Sequence, residues 1–258
     1  MIQAEMRRQL SEDGFCVVRD ALSANDLARV RSSLAHALER LGQAGIPTHD
    51  ARLDPNAANL RVYNLPEHDR VFLELLRWPA ARELVEEVLG PKVIVSNFTA
   101  NIAMPGSGSM ALHSDQALVI PPPWDQPWAM NIIWCLDDVY ADNGATRYLP
   151  GSHRYRTFED VPSNSQSKML PFEAPAGSLI AMEGRIWHTS GSNVTVDKQR
   201  RLLFAYYSMD FIRQQVNWEA TLSPETKASL DDEERRLLGL GPSANTRIAS
   251  ANIQLRRP

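Results

Sequence analysis

His113, Ser114 and Asp115 set an imidazole and a carboxylate two positions apart, a spacing that puts both side chains on one face of an extended strand or its end. Two such groups can grip one divalent cation. A second imidazole would complete a 2-His-1-carboxylate face, the donor set that holds non-haem Fe(II) while leaving positions open for O2 and a co-substrate. His188 is the candidate for that third ligand, and His153, after the turn-like Pro150-Gly151-Ser152, is its rival. His36, His49 and His68 precede the β-rich part of the chain. Alone, the His-x-Asp pair is weak evidence, because an exposed polar turn reads the same way.

Its company gives the pair weight. Downstream stand Asn143-Gly144-Ala145-Thr146-Arg147-Tyr148-Leu149-Pro150-Gly151-Ser152-His153, then Trp187-His188-Thr189-Ser190-Gly191-Ser192-Asn193, then Arg200-Arg201 opening an apolar run. In that order, over roughly residues 10 to 215, the segments resemble the phytanoyl-CoA dioxygenase family of Fe(II)/2-oxoglutarate oxygenases. The resemblance implies iron on His113, Asp115 and His188 rather than His153, with 2-oxoglutarate and O2 as co-substrates. It also implies an arginine fork for the C5 carboxylate of 2-oxoglutarate, an anion costly to bury unpaired. Arg200 and Arg201 both stand where the family carries that arginine, and strand alternation lets only one point inward. Arg200 is favoured because Leu202 and Phe204 would then share the interior. Thr146 resembles a position that hydrogen-bonds the same carboxylate, although a plain strand threonine accounts for it nearly as well. Relatives that halogenate carry a small residue where Asp115 stands, so hydroxylation, or a related desaturation, epoxidation or cyclisation, is the expected outcome.

These groups need a scaffold. β-Rich runs at residues 93–102, 128–136, 146–149, 178–182, 185–188 and 201–207, punctuated by Pro and Gly, predict a mainly β protein. Their number fits a double-stranded β-helix, the cupin-like jelly roll, as the resemblance also implies. A short strand is expected at Phe15–Val18. Next comes a helix capped by Ser23, with Leu27, Val30, Leu34, Leu38 and Leu41 as its core stripe and Gly42 and Gly45 at its end. The polar stretch from His49 to Asn59 reads as a loop, which the resemblance implies would border the mouth of the site. Two further helices, Glu67 to Arg77 and Pro79 to Leu89, would coat one outer sheet together with the first. Ser223-Pro224-Glu225 starts another, reaching Leu238, and the polar tail beyond is expected to be mobile. The expected organisation is one domain over 1–258: a helical part to about residue 91, a jelly roll over about 92–212 and a helical tail over 213–258.

The 43% apolar and 22% charged residues suit a soluble globular chain, and a net charge of −4 gives no whole-protein reason to expect a nucleic-acid partner. Cys16 and Cys135 lack metal or disulfide spacing and read as free core thiols. No apolar stretch is long enough for a membrane span, so a cytoplasmic protein is expected.

For the substrate, the proline-stiffened loop Leu118 to Trp128 directly follows the ligand pair, and Trp124 and Trp128 are candidates to wall an apolar pocket with Met104 and Met110. Core filling and end-covering are competing uses of the same side chains. Phe211-Ile212-Arg213-Gln214-Gln215 resembles the family's branch that tailors secondary metabolites, which implies a mid-sized, largely apolar small molecule and allows a homodimer. The alternatives are a metal-dependent cupin-type enzyme without 2-oxoglutarate and a non-catalytic binding jelly roll.

Overall fold

The computed structural model describes residues 4–240; the tail expected to be mobile lies outside them. In chain order the strands are β1 (Phe15–Val18), β2 (Asn59–Val62), β3 (Val93–Ala103), β4 (His113–Ser114), β5 (Ala129–Cys135), β6 (Thr146–Tyr148), β7 (Leu170–Pro171), β8 (Leu179–Glu183), β9 (Trp187–Ser190) and β10 (Arg200–Met209). They form a six-stranded sheet, β1-β8-β5-β10-β3-β2, and a four-stranded sheet, β4-β9-β6-β7, all pairs antiparallel. Between the two sheets Ile133, Ile180 and Leu202 meet Ala145, Tyr148 and Phe172 in a small apolar core. This is the jelly roll that the strand count predicts.

Period-two alternation decides what each face of the large sheet does. In β10, Leu203, Ala205 and Tyr207 face outward into the main apolar core, while Arg200, Phe204 and Tyr206 face a cavity between the sheets. In β3, Phe98, Ala100 and Ile102 face outward, and Asn97, Thr99 and Asn101 face the cavity. A register shift opposite Tyr206 and Tyr207 leaves Ser96 unmatched, so Val93 and Val95 also face outward.

Helices cover that outer face: α1 (Ala4–Asp13), α2 (Ala24–Gln43), α3 (Leu65–His68), α4 (Arg70–Leu76), α5 (Pro79–Leu89), α6 (Trp218–Thr221), α7 (Pro224–Ser229) and α8 (Asp232–Leu237). Ser23 caps α2 as expected, accepting from Asp26 N at 3.1 Å. The helix runs through Gly42, and its C-cap is Ala44. Two expected helices are each broken in two by an aspartate. Asp69 adopts an extended conformation and caps α4 through Val71 N, where one helix from Glu67 was expected. Asp231 caps α8 in a reciprocal box with Glu234, interrupting the helix expected from Ser223 to Leu238. α1 and β2 carry no strong sequence pattern and add to the expected elements. No described helix is long and apolar enough to cross a membrane, and both cysteines are buried and free.

Phe98 lies fully buried with its ring edge-on to Phe72 of α4, centroids 6.2 Å apart. Phe98→Ala should lower the unfolding free energy by about 3–5 kcal/mol in denaturant titration; a loss under about 1 kcal/mol would contradict the helix-on-sheet packing.

Candidate active site

The short strand β4 pairs with β9 so that His113 lies directly opposite His188, with ring centroids 4.3 Å apart. Ser114, between the two candidate ligands of the motif, points the other way and donates to Gly184 O at 2.9 Å. The next amide, Gln116 N, donates to the same carbonyl at 2.8 Å. Asp115 opens a 3-10 turn, Asp115–Leu118, which swings its carboxylate back towards both imidazoles. Each Nε2 then lies 3.9 Å from an oxygen of that carboxylate. One ligand atom from each of His113, Asp115 and His188 can be chosen with all three within 4.8 Å of one another.

The hydrogen bonds behind the cluster set the chemistry of its atoms. His113 Nδ1 lies 2.9 Å from Ala111 O and His188 Nδ1 lies 3.0 Å from Ile186 O. A carbonyl only accepts, so Nδ1 carries the hydrogen in both rings and each Nε2 presents a lone pair to the centre. Burial, and then the neighbouring His113, push the His188 pKa down, which favours the neutral ring. Asn131 Nδ2 donates to Asp115 Oδ2 at 2.5 Å and fixes the carboxylate. Two imidazole nitrogens and one oriented carboxylate, with one side open to a cavity, fit a divalent iron ion. His153 is elsewhere: its ring packs against the backbone of Gly14, where an added Cβ would approach it to 2.7 Å.

The two arginines have separate fates. Arg201 donates through Nε and Nη2 to Asp137 at 2.9 and 2.6 Å, which pairs its charge, and it does not line the cavity. Arg200 is 1% exposed, lines the cavity and has only neutral partners: Gly144 O at 3.0 and 2.7 Å, Asn101 O at 3.1 Å and Asn101 Oδ1 at 3.2 Å. Burial lowers its pKa to about 10, so it remains a cation. A buried guanidinium held by carbonyls is completed by an anion. Gly144 has φ +86 and abuts Ala103 and Gly191, which explains the glycine of the Asn-Gly-Ala-Thr segment. Thr146, two residues on, also lines the cavity.

Residues 10–202 match the family of phytanoyl-CoA dioxygenase (PhyH). The chain belongs to the phytanoyl-CoA dioxygenase family. It is a dioxygenase of the Fe(II)/2-oxoglutarate class. It is 45% identical over 236 residues to dioxygenase af480 of Aspergillus fumigatus, covering 92% of this chain and 76% of that one. Dioxygenase FrzG of a Cladobotryum species is 30% identical, covering 78% and 72%. Among solved structures, HygX of Streptomyces hygroscopicus, with nickel and 2-oxoglutarate bound, superposes with TM-score 0.67 at 16% identity over 83% of this chain and 90% of its own. The carbocyclase SnoK from nogalamycin biosynthesis superposes with TM-score 0.66 at 18% identity over 86% and 92%. Both share the fold.

The cavity measures about 450 Å³. Of the four side chains expected around the substrate, Met110 lines it. The other three do not. Trp124 is buried with Leu149 and Trp187, its Nε1 donating to Val119 O at 2.7 Å. Trp128 stacks edge-on with Phe211 at 6.2 Å, and Met104 packs against the main core. From the same proline loop Leu118 reaches the cavity instead. The polar stretch before β2 supplies Arg52 and Leu53, and β2 itself supplies Arg61, whose charge is paired with buried Asp54 at 2.7 Å. Asn97, Thr99, Asn101, Asn131 and Tyr206 escaped the sequence reading, although polar residues at every second position of an otherwise apolar strand mark a wetted interior face.

Anaerobic Co(II) should raise the melting temperature of the wild type and of His153→Gln by several degrees, and should leave His113→Ala and His188→Ala unchanged. A metal-dependent rise in His188→Ala would remove that residue from the ligand set.

Proposed function

We propose that His113 Nε2, His188 Nε2 and Asp115 hold Fe(II), that Arg200, aided by Thr146, receives the C5 carboxylate of 2-oxoglutarate, and that a small molecule is oxidised at a C–H bond in the same cavity. The observation that carries this is the convergence of two lone-pair-bearing Nε2 atoms and one tethered carboxylate beside an anion-seeking arginine. Bound Fe(II) would supply the activation of O2 coupled to oxidative decarboxylation of 2-oxoglutarate. For hydroxylation the balance is R–H + 2-oxoglutarate + O2 → R–OH + succinate + CO2.

The chain's own contribution is positioning and exclusion. The two Nδ1–H bonds lock the imidazole planes, and the Asn131 amide occupies one carboxylate oxygen. Asp115 fills the place that a halide would need, which favours hydroxylation or a related oxidation over halogenation. Arg200, pinned by Gly144 O and Asn101, offers its charge in fixed orientation, so the co-substrate meets a preorganised site. Leu53, Met110, Leu118 and Phe204 give the cavity an apolar side for the substrate body. A secondary metabolite suits this space, and a HygX structure with hygromycin B bound and the role of SnoK in nogalamycin biosynthesis support that class. The reaction is assigned to the cytoplasm, in keeping with the absence of a membrane-crossing helix among the described residues.

Anaerobic titration of the Fe(II)-loaded protein with 2-oxoglutarate should develop the weak visible charge-transfer band of bidentate chelation. Arg200→Ala should need on the order of 100-fold more 2-oxoglutarate, the scale of losing a charge-assisted pair of hydrogen bonds. Arg201→Ala should stay within about three-fold of wild type, because its charge is spent on Asp137. No band in folded, iron-loaded wild type would reject the 2-oxoglutarate assignment.

A further inference from the structure

A second arginine of the cavity wall has one side unaccounted for. Arg61 of β2 pairs in register with Asn101 of β3, on the inner face of the large sheet, and it lines the cavity. Its Nε and Nη2 donate to the two oxygens of Asp54 at 2.7 and 2.8 Å, and Nη2 also lies 3.1 Å from Met110 Sδ. Nη1 has no hydrogen-bond partner among the described residues, and it does not belong to the unpartnered polar atoms that are shut off from solvent. The side chain is only 11% exposed and stands on the cavity wall, so the Nη1–H groups open on the cavity.

The pair that holds this guanidinium also sets what it can recognise. The Asp54 side chain has 0% exposure, and its carboxylate meets Arg61 from the side away from the cavity. The loop that carries Asp54 is held independently: Asp54 N donates to Asp50 O at 2.8 Å, and Asn56 Nδ2 donates to Gly106 O at 3.0 Å. Arg61 is therefore oriented before any ligand arrives. Together with Asp54 it carries no net charge. An anion at Nη1 would lose its hydration and feel the Asp54 carboxylate behind the guanidinium, whereas an uncharged carbonyl oxygen has little hydration to lose and accepts a charge-assisted hydrogen bond.

The co-substrate has an anchor of its own. Arg200 has no acidic partner among the described residues and calls for an anion; Arg61 has one and does not. The two arginines stand on strands separated by β3, roughly 10 Å apart at about 4.8 Å per strand. Around Arg61 the wall is the one assigned to the substrate body, with Leu53 directly before Asp54 and Met110 against Nη2.

We infer that Arg61 Nη1 donates to an uncharged carbonyl oxygen of the primary substrate, so that the substrate class is a ketone, lactone or amide with an apolar body, not a carboxylate or a pure hydrocarbon. This rests on the dioxygenase reading of the same site and refines it. Arg61 selects the substrate, and Asp54 positions Arg61 and cancels its charge.

The test uses the Fe(II)·2-oxoglutarate protein under anaerobic conditions, with the co-substrate saturating, and three probes of one ring system: indane, 1-indanone and indane-1-carboxylate. The free probe after ultrafiltration is measured by liquid chromatography, and the visible band of the same sample reports the metal chelate. Arg61→Met alone would strand the buried Asp54 charge, so it is made together with Asp54→Asn. From wild type to Asp54→Asn/Arg61→Met the affinity ratio of 1-indanone to indane should fall at least about ten-fold, the scale of one net hydrogen bond, while the 2-oxoglutarate needed for half the band stays within about three-fold. Asp54→Asn alone, which leaves the guanidinium without its counter-charge, should raise the ratio of carboxylate to ketone affinity at least about ten-fold. Unchanged ratios, retention of no probe by wild type, or a double variant that loses co-substrate affinity instead, each with the band present in wild type, overturn the inference and leave the dioxygenase reading standing. Absence of the band in iron-loaded wild type removes both.

Discussion

The pairing of β4 with β9 is the constraint on which the site depends. It spans only two residue pairs, yet it sets His113 directly across from His188. Since side chains alternate at every residue, a slip by one would send one imidazole to the opposite face and put Ser114 or Trp187 in its place. Two hydrogen bonds to the Gly184 carbonyl, from Ser114 Oγ and Gln116 N, clamp this register from outside the pair. On the other edge of β9, Tyr148 pairs with His188 and Thr146 with Ser190, so the same strand also places the threonine that lines the cavity. A short, weak ladder is thus held by neighbours that serve the chemistry themselves.

β10 is the second support, and it divides its labour by residue parity. Outward Leu203, Ala205 and Tyr207 anchor the helical layer; inward Arg200, Phe204 and Tyr206 line the cavity. The helices act on the cavity wall through β3 and β5 as well as β10; loss of packing behind β10 would move Arg200 and Tyr206 together. Arg200 is the most demanding of these groups, a buried cation without an ionic partner among the described residues. Such a charge is tolerated when carbonyls solvate it and a mobile anion completes it. The proposed use of Arg200 as a co-substrate anchor draws on this same property.

The cluster of His113, Asp115 and His188 was legible in part: the close spacing of the first two suggested a shared site, the 3-10 turn at Asp115 brings their side chains together, and the family resemblance of the segment around His188 pointed to the third. The resemblance pointed to Arg200 or Arg201, and alternation with Leu202 and Phe204 favoured Arg200; in the structure Arg200 and Phe204 line the cavity and Arg201 pairs with Asp137. The Trp124, Trp128 and Met104 positions were not legible, because a large apolar side chain in a loop can turn either to the cavity or to the core, and only the tertiary partners decide. The breaks at Asp69 and Asp231 are local signals of another kind: an aspartate two or three residues before a free helical N–H competes with helix continuation, and here the cap won. Asn97 and Asn131 were hidden by their surroundings, since an asparagine in a β-rich run reads as a flaw until its face is known to be a cavity wall.

Anomalous diffraction at the iron edge from crystals grown anaerobically with Fe(II) and 2-oxoglutarate tests the central claim most directly. The account predicts one iron peak within bonding distance of His113 Nε2, His188 Nε2 and an Asp115 oxygen, with continuous density for the keto acid running from that peak to the Arg200 guanidinium. Iron bound at His153 or elsewhere, or a keto acid whose distal carboxylate lies away from Arg200, would contradict it.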